Sequence, residues 1–264
     1  MKQFALWLFL AALLVLSGCT RRTETGAAET PSVTAQGTEE AAAADMTEEA
    51  PFTPGAEKAS EVPISDTVEE ETPPPVPEAP SDPAAFVRVC DYIPGIEVDL
   101  KYATTDNFTG TVIYDFTDAY LRYGTVEKLA AVQTELEEMG LGLKIWDALR
   151  PVSAQFRLWE VCPNAAYVAN PNTGYSSHSR GNTVDITLIS LDGSEVPMPT
   201  DFDDFSVLAD RDYSDCTEQA AANARLLETT MTAHGFDPYQ AEWWHFSDTV
   251  SYGVEEGFVI PAAP

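Results

Sequence analysis

The sequence predicts an α+β fold, a single compact domain with a central antiparallel sheet flanked by helices. Thr183 to Ser190 sets Val184, Ile186 and Leu188 on one face and Thr183, Asp185 and Thr187 on the other, the period of a strand with one face on a core. It runs to Asp192-Gly193, a hairpin signal, and Val196 begins the return. Val126 to Met139 carries Leu129, Val132, Leu136 and Met139 at helical spacing before Gly140, and Glu218 to His234 is a second amphipathic helix closed by Gly235. The stretch from about Phe86 to Pro264 has the length of one ordinary domain with one core and shows no internal repeat.

Two segments precede that domain. Residues 1–19 comprise a basic start at Met1-Lys2-Gln3, an apolar run from Phe4 to Leu16, and small residues leading to Cys19, the parts of a secretory signal. The run is short for a membrane span, which needs about 20 residues. Leu16-Ser17-Gly18-Cys19 resembles the lipobox of bacterial lipoproteins, which implies lipidation of Cys19, a new amino terminus there, and an extracytoplasmic protein held on a membrane face. Residues 20–85 are Ala, Glu, Thr and Pro with Phe52 as the lone aromatic, and hold 15 acidic against 3 basic side chains. Such a composition cannot bury enough apolar surface to offset ordering entropy, so a disordered acidic tether is expected.

Residues 86–264 form the expected domain and share the acidity of the chain, whose net charge is −29. Nucleic acid and anionic lipid would repel such a surface, so neither is an expected partner; small zwitterionic or cationic ligands are compatible with it. Along the domain, Ile96 to Tyr102 is expected as a short strand and Thr105 to Phe116 as a loop turning at Thr109-Gly110. Leu143 to Trp146 is a strand running into Asp147-Ala148-Leu149-Arg150-Pro151, and Pro151 suits the first turn of a helix through Ala154, Phe156 and Leu158. The aromatic run Ala241 to Ser247 is the last strand expected. Cys90, Cys162 and Cys216 are odd in number, so at most one pair forms; Cys162 with Cys216 is the expected pair, three buried thiols the alternative.

The chemistry centres on Ser176 to Leu188. Alternation aims Asp185 away from the apolar face, and His178, beyond Gly181, can fold back from the loop toward that carboxylate. A zinc site needs at least one more ligand, and the chain has only three histidines. His234 ends a helix, where the helix dipole favours a histidine without any further role. His245 follows Glu242 by three residues, and a carboxylate beside a ligand is what a hydrolytic site needs to accept a proton from water. Strand periodicity sets Glu242 and His245 on opposite faces, so Glu242 must lie in a turn before the strand or at a bulge. No His-Glu-x-x-His occurs, which excludes the helical zinc-protease arrangement.

Ser-x-His-x(6)-Asp at Ser176, His178 and Asp185, with Glu-x-x-His at Glu242 and His245, resembles the zinc peptidases grouped with lysostaphin, the D-Ala-D-Ala metallopeptidases and the hedgehog signalling domain. Within that group the chain is most similar to the VanX-type D-alanyl-D-alanine dipeptidases. The likeness extends through Lys101 to Gly110, Trp146 to Pro151, Ser177 to Gly181 and Glu242 to His245, in that order.

The resemblance implies a hedgehog- and D-Ala-D-Ala-peptidase-like fold and one Zn2+ held by His178, Asp185 and His245, with a fourth position open for water. It implies Glu242 as general base and Arg150 as the cation near the scissile carbonyl. Ser176 and Asp203 fall at positions that contact the dipeptide, Asp203 offering a carboxylate to a free ammonium. Asp147 either orients Arg150 on the substrate side or caps a helix. The implied activity is hydrolysis of D-Ala-D-Ala by a monomer. A D,D-carboxypeptidase or other cell-wall peptidase acting on peptidoglycan stem peptides is the alternative, and a zinc-containing binding lipoprotein without catalysis a third reading. Two departures stand out: the resistance-associated enzymes lack an export signal, and Val161 to Tyr175 looks shorter or rearranged. The nitrogen and oxygen ligand set also accepts other divalent ions.

Overall fold

The computed structural model describes residues 76–261. The expected signal with Cys19 and the tether as far as residue 75 lie outside the described residues. In chain order the elements are β1 Phe86–Arg88, α1 Val89–Tyr92, β2 Glu97–Val98, a 3-10 turn Lys101–Ala103, β3 Tyr120–Arg122, α2 Tyr123–Glu137, β4 Leu141–Asp147 and α3 Val152–Val161. A second 3-10 turn, Ser177–Arg180, leads into β5 Thr183–Ser190; then come a third 3-10 turn Val207–Ala209, α4 Glu218–Ala233, β6 Phe236–Pro238 and β7 His245–Asp248.

Five strands form the main sheet in the order β2-β4-β5-β7-β6, antiparallel throughout except for the parallel β2–β4 edge. β1 and β3 make a separate antiparallel pair. This is the expected α+β domain with helices against a central sheet. Val184, Ile186 and Leu188 of β5 join Leu143 and Ile145 of β4 in the core, packed with Leu129, Val132 and Leu136 of α2 and Leu227 and Met231 of α4. Trp243, Trp244, Phe236 and Phe246 are fully buried beside them. Each large side chain so buried contributes about 2–3 kcal/mol, which fixes the turn carrying Glu242 and His245 against the sheet.

Several boundaries differ from the sequence reading. The strand expected over Ile96 to Tyr102 is reduced to two residues, because β2 pairs with β4 only at Glu97 and Val98 before the chain coils into the 3-10 turn. The turn at Asp192-Gly193 forms, with Gly193 at φ +81°, but the return makes only a bridge between Ile189 and Glu195. Pro197 and Pro199 follow and lack the N–H groups a ladder needs. Met139 lies beyond the end of α2 and is exposed. Cys162 and Cys216 do not pair: all three described thiols are free. Cys162 caps the end of α3, while Cys216 precedes α4 with its Sγ donating to the Tyr213 carbonyl at 3.5 Å.

Arg122 closes the small pair of strands onto the rest. Its guanidinium is buried and donates to the carbonyls of Ala84 (2.7 Å), Arg180 (3.0 Å) and Gly253 (2.8 Å), with Phe86 stacked 3.8 Å from its carbon. With no carboxylate in contact among the described residues, burial lowers its pKa, opposed by more distant charge. One cation thus joins the segment before β1, the turn before β5 and the segment after β7.

Candidate active site

Asp185 sits on the face of β5 opposite the core, as the alternation requires, yet it is itself buried. The second 3-10 turn brings His178 back onto it. Gly181 makes this return possible: it adopts φ +71°, and a Cβ there would stand 2.3 Å from the Phe86 ring. His245 comes from β7, where it is the register partner of Asp185. The result is His178 Nε2 at 3.2 Å from Asp185 Oδ2 and His245 Nδ1 at 2.9 Å from Asp185 Oδ1. Ligand atoms of the three residues lie within 4.8 Å of one another, a grouping that could hold a metal ion.

The donor chemistry fits such an ion. His178 Nδ1 lies 2.9 Å from the Ala148 carbonyl, which can only accept, so Nδ1 carries the proton and the neutral ring presents Nε2 to the cluster. Burial would raise the Asp185 pKa, but the two imidazoles overcome it and hold the carboxylate well below its usual range. Burial pulls His178 down, and the carboxylates of Asp185 and Asp147 outweigh it, so its pKa is raised. A carboxylate this firmly ionised between two imidazoles suits a divalent cation replacing the shared protons.

Glu242 lies in the turn before β7 rather than on the strand, which answers the periodicity problem posed by its spacing from His245. Its Oε2 is 3.4 Å from His245 Nδ1. Burial raises its pKa, and the negative charge of Asp185 adds to the effect. Arg211 fixes this turn by donating to the Glu242 carbonyl (3.1 Å) and the His245 carbonyl (3.0 Å).

Arg150 is buried beside the cluster, and its carrier is a polar network. Asp147 Oδ2 accepts from Nε (3.0 Å) and Nη2 (2.5 Å), Gln155 Oε1 accepts from Nη1 (3.1 Å), and the Tyr102 ring lies 5.0 Å from the guanidinium carbon. Asp147 Oδ1 accepts from the Tyr114 hydroxyl (2.6 Å) and the Ala148 amide (2.9 Å). Asp147 is therefore enclosed behind Arg150 and does not line the cavity, so it is not placed to touch a substrate as expected; its carboxylate is held on the arginine and not on the first turn of α3. No side chain caps α3.

A cavity of about 590 Å³ opens onto these groups; Ser176, His178, Asp185, Asp203, Glu242, His245 and Arg150 all line it. Asp203 adopts φ +55° and accepts from the Tyr102 hydroxyl at 2.7 Å. Burial pushes its pKa up to about 7, which the Tyr102 hydrogen bond only partly offsets. His234 stays outside, bonded to Glu135 at 2.8 Å. The sequence reading missed Tyr114, Gln155 and Ser177, whose Oγ is 3.5 Å from His245 Nε2. Nothing local marks the first two, since a loop tyrosine and a helical glutamine acquire a role only through the partner the fold delivers.

The comparisons with known proteins agree with this class of site. Residues 82–258 match the family model described as D-ala-D-ala dipeptidase, and the chain belongs to that family of peptidases. It is similar to the D-alanyl-D-alanine dipeptidase of Escherichia coli (strain K12), 36% identical over 166 residues, covering 63% of this chain and 86% of that protein. The D-alanyl-D-alanine dipeptidase of Streptomyces coelicolor is 36% identical over 186 residues (61% of this chain, 90% of that protein). That of Enterococcus faecium is 33% identical over 181 residues, with the same coverage.

Proposed function

We propose that this peptidase hydrolyses D-Ala-D-Ala as a zinc-dependent dipeptidase, with Glu242 as its general base. The observation that carries this is the convergence of His178, Asp185 and His245 within 4.8 Å, with Glu242 alongside. His178, Asp185 and His245 would hold the zinc ion, which when bound supplies Lewis-acid polarisation of the scissile carbonyl and acidification of water.

The chain's own groups do the remainder. Glu242 takes a proton from the attacking water as its oxygen bonds to the carbonyl carbon, and returns that proton to the amine as the C–N bond breaks. Its raised pKa brings it closer to the pH at which a base must also act as an acid. Arg150 offers two N–H positions that its partners Asp147, Gln155 and Tyr114 do not use, and these can meet the oxygen that gains charge. Held by Asp147, the guanidinium needs little reorganisation for this. Asp203 supplies the carboxylate for the substrate ammonium, and Ser176 a wall beside it.

The signal and lipobox at residues 1–19 support export, anchoring through a lipid on Cys19, and a substrate met outside the cytoplasm. Metal content of the purified protein and D-alanine release from D-Ala-D-Ala, each with and without chelator, test the reading. Metal-independent release, or no release from zinc-loaded protein, would refute it.

A further inference from the structure

Three irregular segments meet through one aromatic ring each, two of them lining the catalytic cavity and the third the neighbouring cleft. Phe205, in the segment between β5 and α4, lies 4.6 Å centroid to centroid from Tyr167, in the segment between α3 and β5. It also stands edge-on, 5.2 Å from Phe108, in the loop after the first 3-10 turn. Tyr167 and Phe205 line the cavity, yet remain 49% and 41% exposed. Rings so exposed contribute little to the core, and their contact joins two segments that both line the cavity.

The chain around Phe205 explains what the contact closes. Asp203 and Phe205 line the catalytic cavity, whereas Phe202 and Asp204 line a separate cleft of about 890 Å³ on the other side. Phe202 to Phe205 is thus a wall one residue thick, with alternate side chains facing opposite ways. Its backbone is held by the left-handed conformation of Asp203, uncommon for a residue with a Cβ, and by the Tyr102 hydroxyl on the Asp203 carboxylate. The conformation that places the carboxylate also sets the course of the chain to the ring two residues later.

We propose that Phe205 and Tyr167 form a length gate, which sets the preference of this enzyme for a peptide whose free amine ends at Asp203. The proposal rests on the dipeptidase reading and deepens it. A residue added on the amino side has to pass between the two rings and also removes the charge that Asp203 would pair with. The gate is a specificity device and takes no part in bond breaking.

The test compares kcat/KM of zinc-loaded wild type, Phe205→Ala and Tyr167→Ala on D-Ala-D-Ala and on an N-acetylated tripeptide ending in D-Ala-D-Ala. Wild type should prefer the dipeptide, and either variant should shrink that preference by at least about tenfold, chiefly by gaining on the tripeptide. Phe205 and Tyr167 lie on different segments, so a folding defect in one variant leaves the other to decide. An unchanged ratio in a folded variant overturns the gate while leaving the dipeptidase reading intact; a wild type that cleaves both substrates equally overturns the gate and replaces the dipeptidase reading with the carboxypeptidase alternative. A zinc-loaded wild type inactive on both peptides overturns the dipeptidase reading, and the gate with it.

Discussion

Asp147 and Asp185 are register partners across β4 and β5, at the point where the ladder slips after Ile145. Two carboxylates facing each other across a ladder would repel. Here each has its own partners: Asp147 takes Arg150, and Asp185 lies between His178 and His245. His178 touches both sets, with Nε2 on Asp185 and Nδ1 3.6 Å from Asp147 Oδ2.

Removing Asp147 leaves the buried guanidinium of Arg150 without its countercharge. Asp147→Ala should destabilise the domain by about 3–5 kcal/mol, as when one partner of a buried ion pair is deleted. Chemical denaturation measures this. Asp147→Asn, which keeps the shape, should fold better than the alanine variant and still lose kcat, because Arg150 is held less firmly.

Glu242 and the ligands should separate experimentally. Glu242→Gln should lower kcat by about 10²–10⁴-fold while the protein retains zinc, because only the proton carrier is lost. His178→Ala, Asp185→Ala and His245→Ala should instead lose stoichiometric zinc, read by metal analysis. For wild type, free zinc at 100 times its Kd should add about 2.7 kcal/mol to stability, read as a rise in melting temperature.

Asp203 gives a pH signature. Its carboxyl is pushed up to about 7 in the folded protein, against an ordinary value near 4. Between those values the folded state holds a proton that the unfolded state has released. Its contribution to stability is thus fully present below about pH 4 and is lost as pH rises to about 7. Denaturation of wild type and Asp203→Asn across that range should show a steeper loss of stability with rising pH in wild type, the difference between the two being the part that Asp203 contributes. Pairing with a substrate ammonium needs the ionised form, so kcat/KM of wild type should climb through the same range.

Gly181 tests the turn that carries His178. Gly181→Ala places a Cβ against the Phe86 ring in a left-handed conformation, and should cost about 1–3 kcal/mol. Zinc affinity should fall with it, because the turn sets where His178 lies.

The strand that carries Asp185 could be read from the sequence because its alternation is strict: Thr183 to Ser190 was expected and Thr183–Ser190 is observed. Glu242 was legible as a choice between turn and bulge, and burial of Trp243 and Trp244 selects the turn. The short β1–β3 pair and β6 were not foreseen, since three residues give no period to detect. The support of Arg150 by Tyr114 and Gln155 was equally hidden, because it depends on side chains 36 and 5 positions away that only the folded chain brings together. Cys162 and Cys216 show the opposite error, two residues whose count suggested a bond that the fold does not form.

The Arg122 guanidinium has a mechanical consequence. It grips the Ala84 carbonyl just ahead of β1, where Pro83 and Ala85 also accept from the amides of Gly124 and Tyr123. Tension applied to the chain before Pro83 is taken up by this anchorage at the start of α2, outside the five-stranded sheet. The turn bearing His178 would feel such a load through the Arg180 carbonyl on the same guanidinium, so the domain can be pulled by its leading end without its ligand strands carrying the force directly.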